Sequence, residues 1–150
     1  MGRTGESTDV GREDPIRVVL AEDHAEFRLG LKEMLATDGG IEVVGEAENG
    51  ARAVALAREV RPDVVVLDLV MPVMEGREAL GLILRDVSPP PGIVILTMHE
   101  QPHLRRELMQ MGASAFLTKS ASLAEVIGAV KGSRPKRTPR EDSGDASPAS

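Results

Sequence analysis

The chain has 150 residues, 41% hydrophobic and 28% charged, with a formal net charge of −6. That length supports one core of ordinary size. The acidic balance and the presence of only two aromatics, Phe27 and Phe116, argue against a nucleic-acid platform, and the lack of cysteine excludes disulfides and thiolate metal sites.

Residues 1–15 are polar and aperiodic, so they are expected to be disordered. No apolar run approaches the roughly 20 residues of a membrane span, and the start lacks a signal-peptide core. A cytoplasmic location without membrane contact is expected.

From Ile16 the pattern alternates strand and helix. Ile16 to Ala21 reads as a strand, after which Phe27, Leu31, Met34 and Leu35 recur at helical spacing up to Gly39-Gly40. Ile41 to Glu48 is a weaker strand, and Asn49 caps a helix with Ala53, Leu56, Ala57 and Val60 inward that stops at Pro62. Val64 to Leu67 is a continuous apolar run, β-branched at three of four positions, as in a parallel strand covered on both faces. Leu80, Ile83, Leu84 and Val87 mark a third helix, closed by three prolines, and Ile93 to Thr97 is another buried strand. Pro102 suits the first turn of a helix carrying Leu104, Leu108 and Met111. Ser114 to Thr118 is the fifth strand. Ser122 and Glu125 form a capping box before a helix bearing Leu123, Val126, Ile127 and Val130. The domain is expected over 16–131, with 132–150, rich in Pro, Ser and charge, as a disordered tail or linker.

Five such βα units imply right-handed crossovers and a doubly wound parallel sheet, whose strand carboxyl ends share one edge. That edge collects chemistry. The first strand ends at Glu22-Asp23, the third at Asp68 and the fourth at Thr97, and Lys119 follows the fifth. Singly, the acid pair reads as a helix cap, Thr97 as a strand-end threonine and Lys119 as a surface lysine. Together they make a crevice in which carboxylates repel unless a cation joins them, and an all-oxygen donor set points to a hard ion such as Mg²⁺. With that charge offset and a phosphoryl donor in line, Asp68 becomes a candidate nucleophile that forms an aspartyl phosphate.

The segments LAEDHAEFR, VVVLDLVMPVMEG, VILTMHE and GASAFLTKS resemble the receiver domains of two-component response regulators, most closely the NarL/LuxR-type branch, over about Ile16 to Lys131. The resemblance implies a flavodoxin-like sheet of order 2-1-3-4-5. It also implies Asp68 as phosphoryl acceptor, with Mg²⁺ held by Asp23, Asp68, the Val70 carbonyl and, through water, Glu22. Thr97 and Lys119 would bind phosphoryl oxygens, and Phe116 matches the aromatic that follows Thr97 by turning inward. A sensor histidine kinase is the implied donor. The implied recipient is an unknown output protein or a phosphorylation-dependent homodimer.

Four positions depart from the family pattern or bear on it. Val73 stands where Gly or Asn is common, and a positive φ there would cost a β-branched residue roughly 1–2 kcal/mol. Ser120 stands where Pro is common, which disfavours a cis peptide after Lys119 by ~3 kcal/mol. Val70 and His99 lie at positions that tune phosphoryl lifetime in the family.

Rival readings are weaker. HEQPH (His99 to His103) spells a zinc-protease motif, but Pro102 interrupts the continuous helix that motif requires. Phosphatases with an aspartate nucleophile usually carry a second Asp where Val70 stands. Gly112 to Ser120 lacks the spacing of a phosphate-binding loop. A phosphorylation-independent binding module is a remote alternative. The chain is also readable as the receiver portion of a NarL/LuxR-type transcription factor. DNA binding by this chain alone is not expected, because the polar residues after Lys131 cannot build a helix-turn-helix domain.

Overall fold

The computed structural model describes residues 14–98 and 100–135. The expected disorder of the start and tail therefore falls almost wholly outside the described residues, as does His99. In chain order the elements are β1 (Ile16–Ala21), α1 (Ala25–Ala36), β2 (Ile41–Ala47), α2 (Gly50–Val60) and β3 (Val64–Leu67), then α3 (Gly76–Asp86), β4 (Gly92–Thr97), α4 (Pro102–Met111), β5 (Ala115–Thr118) and α5 (Leu123–Ser133). The five strands are parallel in the order β2-β1-β3-β4-β5. The flavodoxin-like doubly wound arrangement is therefore present, and its two apolar layers lie on opposite faces of the sheet. One layer joins Val19, Val65, Leu67, Ile93 and Ile95 to Leu56, Leu80, Ile83 and Leu108 of α2, α3 and α4. The other joins Val18, Leu20, Val64, Val66 and Val94 to Leu31, Leu35, Val126 and Val130 of α1 and α5.

The sheet explains the differing strand patterns. β3 and β4 are central and buried at every position, which is why they read as unbroken apolar runs. β2 is an edge strand, half-buried over its middle, and a register shift opposite Val18/Val19 interrupts its pairing with β1. Three capping expectations are met: Asn49 accepts from the Arg52 N–H, Ser122 and Glu125 form the reciprocal box, and Pro102 opens α4. Of the residues at helical spacing, Met34 and Met111 are exposed, at 40% and 38%, while Leu35 and Leu108 are fully buried, so the two methionines lie at the margin of each helix's apolar stripe. The last helix also runs past Lys131 to Ser133. Among the described residues, no helix is long and apolar enough to cross a membrane.

Candidate functional site at the carboxyl edge of the sheet

The functional side chains stand one step beyond strands whose hydrogen bonding continues through them. The Asp68 N–H donates to the Ala21 carbonyl at 3.0 Å, the Glu22 N–H to that of Ala47 at 2.9 Å, and the Lys119 N–H to that of Thr97 at 2.7 Å. Each group is thereby fixed by the sheet and not by a free loop. The turn after β3 returns tightly. The Gly76 N–H donates to the Leu69 carbonyl at 2.9 Å, and a Cβ at Gly76 would lie 2.1 Å from the Asp68 carbonyl oxygen. Only glycine lets α3 start this close to the acidic strand end.

Glu22 and Asp68 are buried, at 2% and 4% exposure. Between them lies the Lys119 ammonium, 2.7 Å from Glu22 Oε1 and 3.3 Å from Asp68 Oδ2. It also rests 4.8 Å from the centre of the Phe27 ring, a cation–π contact on its apolar side. Burial and the neighbouring Glu22 charge raise the Asp68 carboxyl above its ordinary pKa, and Lys119 offsets this only in part. At Glu22 burial pulls the same way, but the hydrogen bonds from Lys119 and His24 outweigh it and hold the group below the usual range. Lys119 loses stability as a cation through burial, yet its bond to Glu22 and the Asp68 charge push its pKa up. Glu22 is the better-paired acid and Asp68 the strained one.

The third acid differs again. Asp23 is part-exposed, but its Oδ1 is buried and accepts no hydrogen bond. An orphaned carboxylate oxygen is costly in protein and well used by a cation. Donor atoms of Glu22, Asp23 and His24 all lie within 4.8 Å of one another, a group that does not include Asp68. The expected metal set is thus gathered in part: Glu22 and Asp23 cluster directly, while Asp68 connects to Glu22 through Lys119. Val70 is exposed, and its N–H reaches Asp68 Oδ1 over a long 3.4 Å. The oxygen donors suit a hard divalent ion. Neither acid is the N-cap of α1, which is His24, although Glu22 Oε2 accepts from the His24 N–H at 2.9 Å.

Comparison with known proteins gives this edge its context. The family model for the response regulator receiver domain matches residues 18–131. The chain belongs to the response regulator receiver domain family. This receiver is 40% identical over 116 residues to the response regulator GacA of Pseudomonas viridiflava, covering 77% of this chain and 54% of that protein. It is 35% identical over 117 residues to a probable transcriptional regulatory protein NarL of Mycobacterium tuberculosis, covering 78% and 54%. The chain spans about half the length of the curated relatives it matches. Among solved structures it resembles the signal receiver domain of the putative response regulator NarL from M. tuberculosis, with a TM-score of 0.74, 33% identity, and coverage of 79% of this chain and 95% of that one. It also resembles the response regulator domain of Thermotoga maritima CheB, with a TM-score of 0.74 and 31% identity over 79% of this chain and 96% of that one.

In this receiver Thr97 is buried at 4% beside the acidic edge. Phe116 is also buried, at 3%, with the Arg105 guanidinium 5.8 Å from its ring centre. The Phe116 side chain is therefore already buried in this structure. Glu100 precedes the start of α4 and His103 lies inside it, so the zinc-protease helix does not form. The Lys119–Ser120 bond is not cis, and the cis bond among the described residues is Ser88–Pro89.

Val73 does take a positive φ, 70°, and the Met74 N–H donates to the Pro72 carbonyl across it at 2.7 Å. A two-residue hydrogen bond around a positive φ is the strained form of the γ-turn, and Val73 is 81% exposed with no buried packing in return. Val73→Gly is expected to stabilise the receiver by about 1 kcal/mol, since relief of roughly 1–3 kcal/mol of strain exceeds the ~0.5–1 kcal/mol entropic cost of glycine. Urea denaturation checks this, and an unchanged or lower midpoint would contradict it.

Sequence reasoning gave no role to Phe27, His24 or Arg28. Phe27 supports Lys119. The Arg28 Nη1 donates to the Glu22 carbonyl at 2.6 Å, and its Nε donates to Glu46 at 3.1 Å, which ties the acid pair to the edge strand. Helical spacing marks Phe27 as inward, but no one-dimensional signal says that its ring meets a lysine some ninety residues away.

Proposed function

We propose that this receiver takes a phosphoryl group onto Asp68 from the phosphohistidine of a sensor histidine kinase and that the modification alters a protein-binding surface. The observation that carries the reading is the buried Asp68 sharing Lys119 with Glu22, next to an Asp23 oxygen that accepts no hydrogen bond. A carboxylate oxygen of Asp68 forms the new bond to phosphorus as the phosphorus–nitrogen bond breaks, and the imidazole leaves with that electron pair. Asp23, Asp68 and the Val70 carbonyl, with Glu22 through water, would hold Mg²⁺, which when bound neutralises charge on the transferring group.

The chain's own residues do the rest. Lys119, already a cation between two acids, pairs with a phosphoryl oxygen, and the Thr97 hydroxyl donates to another. Drawing Thr97 toward the phosphoryl group favours the inward Phe116, which lies under Arg105 of α4, and so biases the surface from α4 through α5. Chemistry beyond self-phosphotransfer and hydrolysis of its own aspartyl phosphate is not proposed. The reader of the surface is an output protein or a second copy of the chain, in the cytoplasm and without direct DNA contact by these residues. A second reading, the receiver portion of a NarL/LuxR-type transcription factor, rests on the relatives named transcriptional regulators, of which the chain covers 54%.

The test is intact mass after incubation with a small acyl phosphate, with and without Mg²⁺. One phosphoryl adduct that requires Mg²⁺ is expected. A folded, Mg²⁺-bound protein that takes no adduct would overturn the proposal.

A further inference from the structure

His24 carries an inference that rests on the proposed metal site and extends it. Its ring is 74% exposed and stands at the residue before α1, where its N–H donates to Glu22 Oε2 at 2.9 Å. That bond, with the turn into the helix, brings the imidazole back over the acid pair. Nδ1 lies 3.1 Å from Glu22 Oε2 and 3.4 Å from Asp23 Oδ1, the buried oxygen without a hydrogen-bond partner. In a tetrahedral or octahedral shell with bonds of about 2.1 Å, neighbouring donors are roughly 3.0–3.4 Å apart. The nitrogen is therefore already at co-ligand spacing from both carboxylates.

Mg²⁺ gains little from such a nitrogen, because it prefers oxygen donors and water. Imidazole suits the later first-row divalent ions, whose affinity for a mixed nitrogen and oxygen site rises toward nickel and copper. We infer that His24 makes the acid pair a three-donor site, Glu22, Asp23 and His24 Nδ1, that takes late first-row divalent cations such as Ni²⁺ or Zn²⁺ in preference to Mg²⁺. Such an ion would compete with Mg²⁺ for Asp23, giving the receiver a metal-dependent block or substitution at the site of phosphoryl transfer. The chain has three histidines, and of the other two His103 lies within α4 and is not among the residues grouped with the acid pair.

Isothermal titration calorimetry of the whole chain with Ni²⁺ and, separately, with Mg²⁺ tests this in the parent, His24→Gln and the double variant His99→Gln/His103→Gln. Nickel is expected to bind the parent more tightly than Mg²⁺. His24→Gln should weaken nickel on the order of tenfold or more, at least what losing a supporting partner costs a metal site, while changing Mg²⁺ affinity less than about twofold. The double variant should bind nickel like the parent. Equal nickel affinity in the parent and His24→Gln, or loss of nickel only in the double variant, would overturn the inference while leaving the proposed function intact. A parent that binds nickel through His24 but never binds Mg²⁺ would sustain the inference and count against Mg²⁺ as the ion of phosphoryl transfer.

Discussion

Asp68→Asn is expected to give a protein that takes up no phosphoryl group and resists denaturation better than its parent. Loss of labelling follows because the amide nitrogen and oxygen are poor nucleophiles and no other carboxylate has the same seat, at the end of β3 and 3.3 Å from Lys119. The gain in stability follows from the raised pKa. A group whose folded pKa lies above its ordinary value of 3.8 favours the fold below that value, and the benefit is lost as pH rises through the folded pKa. At neutral pH the ionised Asp68, buried beside Glu22, therefore opposes folding, and the neutral amide removes that opposition. Urea midpoints at pH 7 should be higher for Asp68→Asn, and the difference should shrink in acid. A variant less stable than the parent at pH 7 would contradict the electrostatic account, and persistent labelling would contradict the acceptor assignment.

Lys119→Ala should do the reverse to stability. The side chains of Glu22 and Asp68 are 3% and 5% exposed and share the one ammonium. Breaking a buried charge pair from one side typically costs roughly 3–5 kcal/mol, because the remaining charge is left without compensation. Glu22 would also lose the bond that holds its pKa down. The deficit should be largest in chelator and should recover partly in millimolar Mg²⁺, since a cation at the acid pair takes over some of the neutralisation. Labelling should persist at a reduced rate, and the phosphorylation-dependent change in the amide spectrum of α4 to α5 should vanish. A variant as stable as the parent in chelator, or a full spectral change on labelling, would contradict the role assigned to Lys119.

Much of this edge is legible in the sequence because a parallel sheet converts one-dimensional order into a shared end. Val64 to Leu67 has four apolar residues and then an acid, so the strand and the position of Asp68 come from the same pattern. Thr97 and Lys119 follow by the same logic, and the topology places them at that edge without further information. The positive φ of Val73 is anticipated only through the family resemblance, since Gly or Asn is common at that position; the local residues alone do not place it.

What pattern reading misses is set by angle and distance. Met34 and Met111 keep helical spacing but fall at the margin of the buried stripe, and spacing alone does not fix where that margin lies. The closer approach of Lys119 to Glu22 than to Asp68 is a difference of 0.6 Å. It depends on how the side chain crosses the Phe27 ring, which no local residue choice encodes. His24 is similar: its role rests on a turn that folds its ring back toward two preceding residues.

The central claim is that Asp68 carries the phosphoryl group, and chemical trapping tests it most directly. An acyl phosphate is reduced by borohydride to the alcohol, so labelled protein treated this way and digested should show homoserine in place of Asp68 in the peptide spanning Val64 to Gly76. Homoserine at position 68, absent without Mg²⁺ or phosphodonor, is the predicted result. A reduced residue at Asp23 or Glu22, or a stable phosphate elsewhere with Asp68 unmodified, would contradict the account.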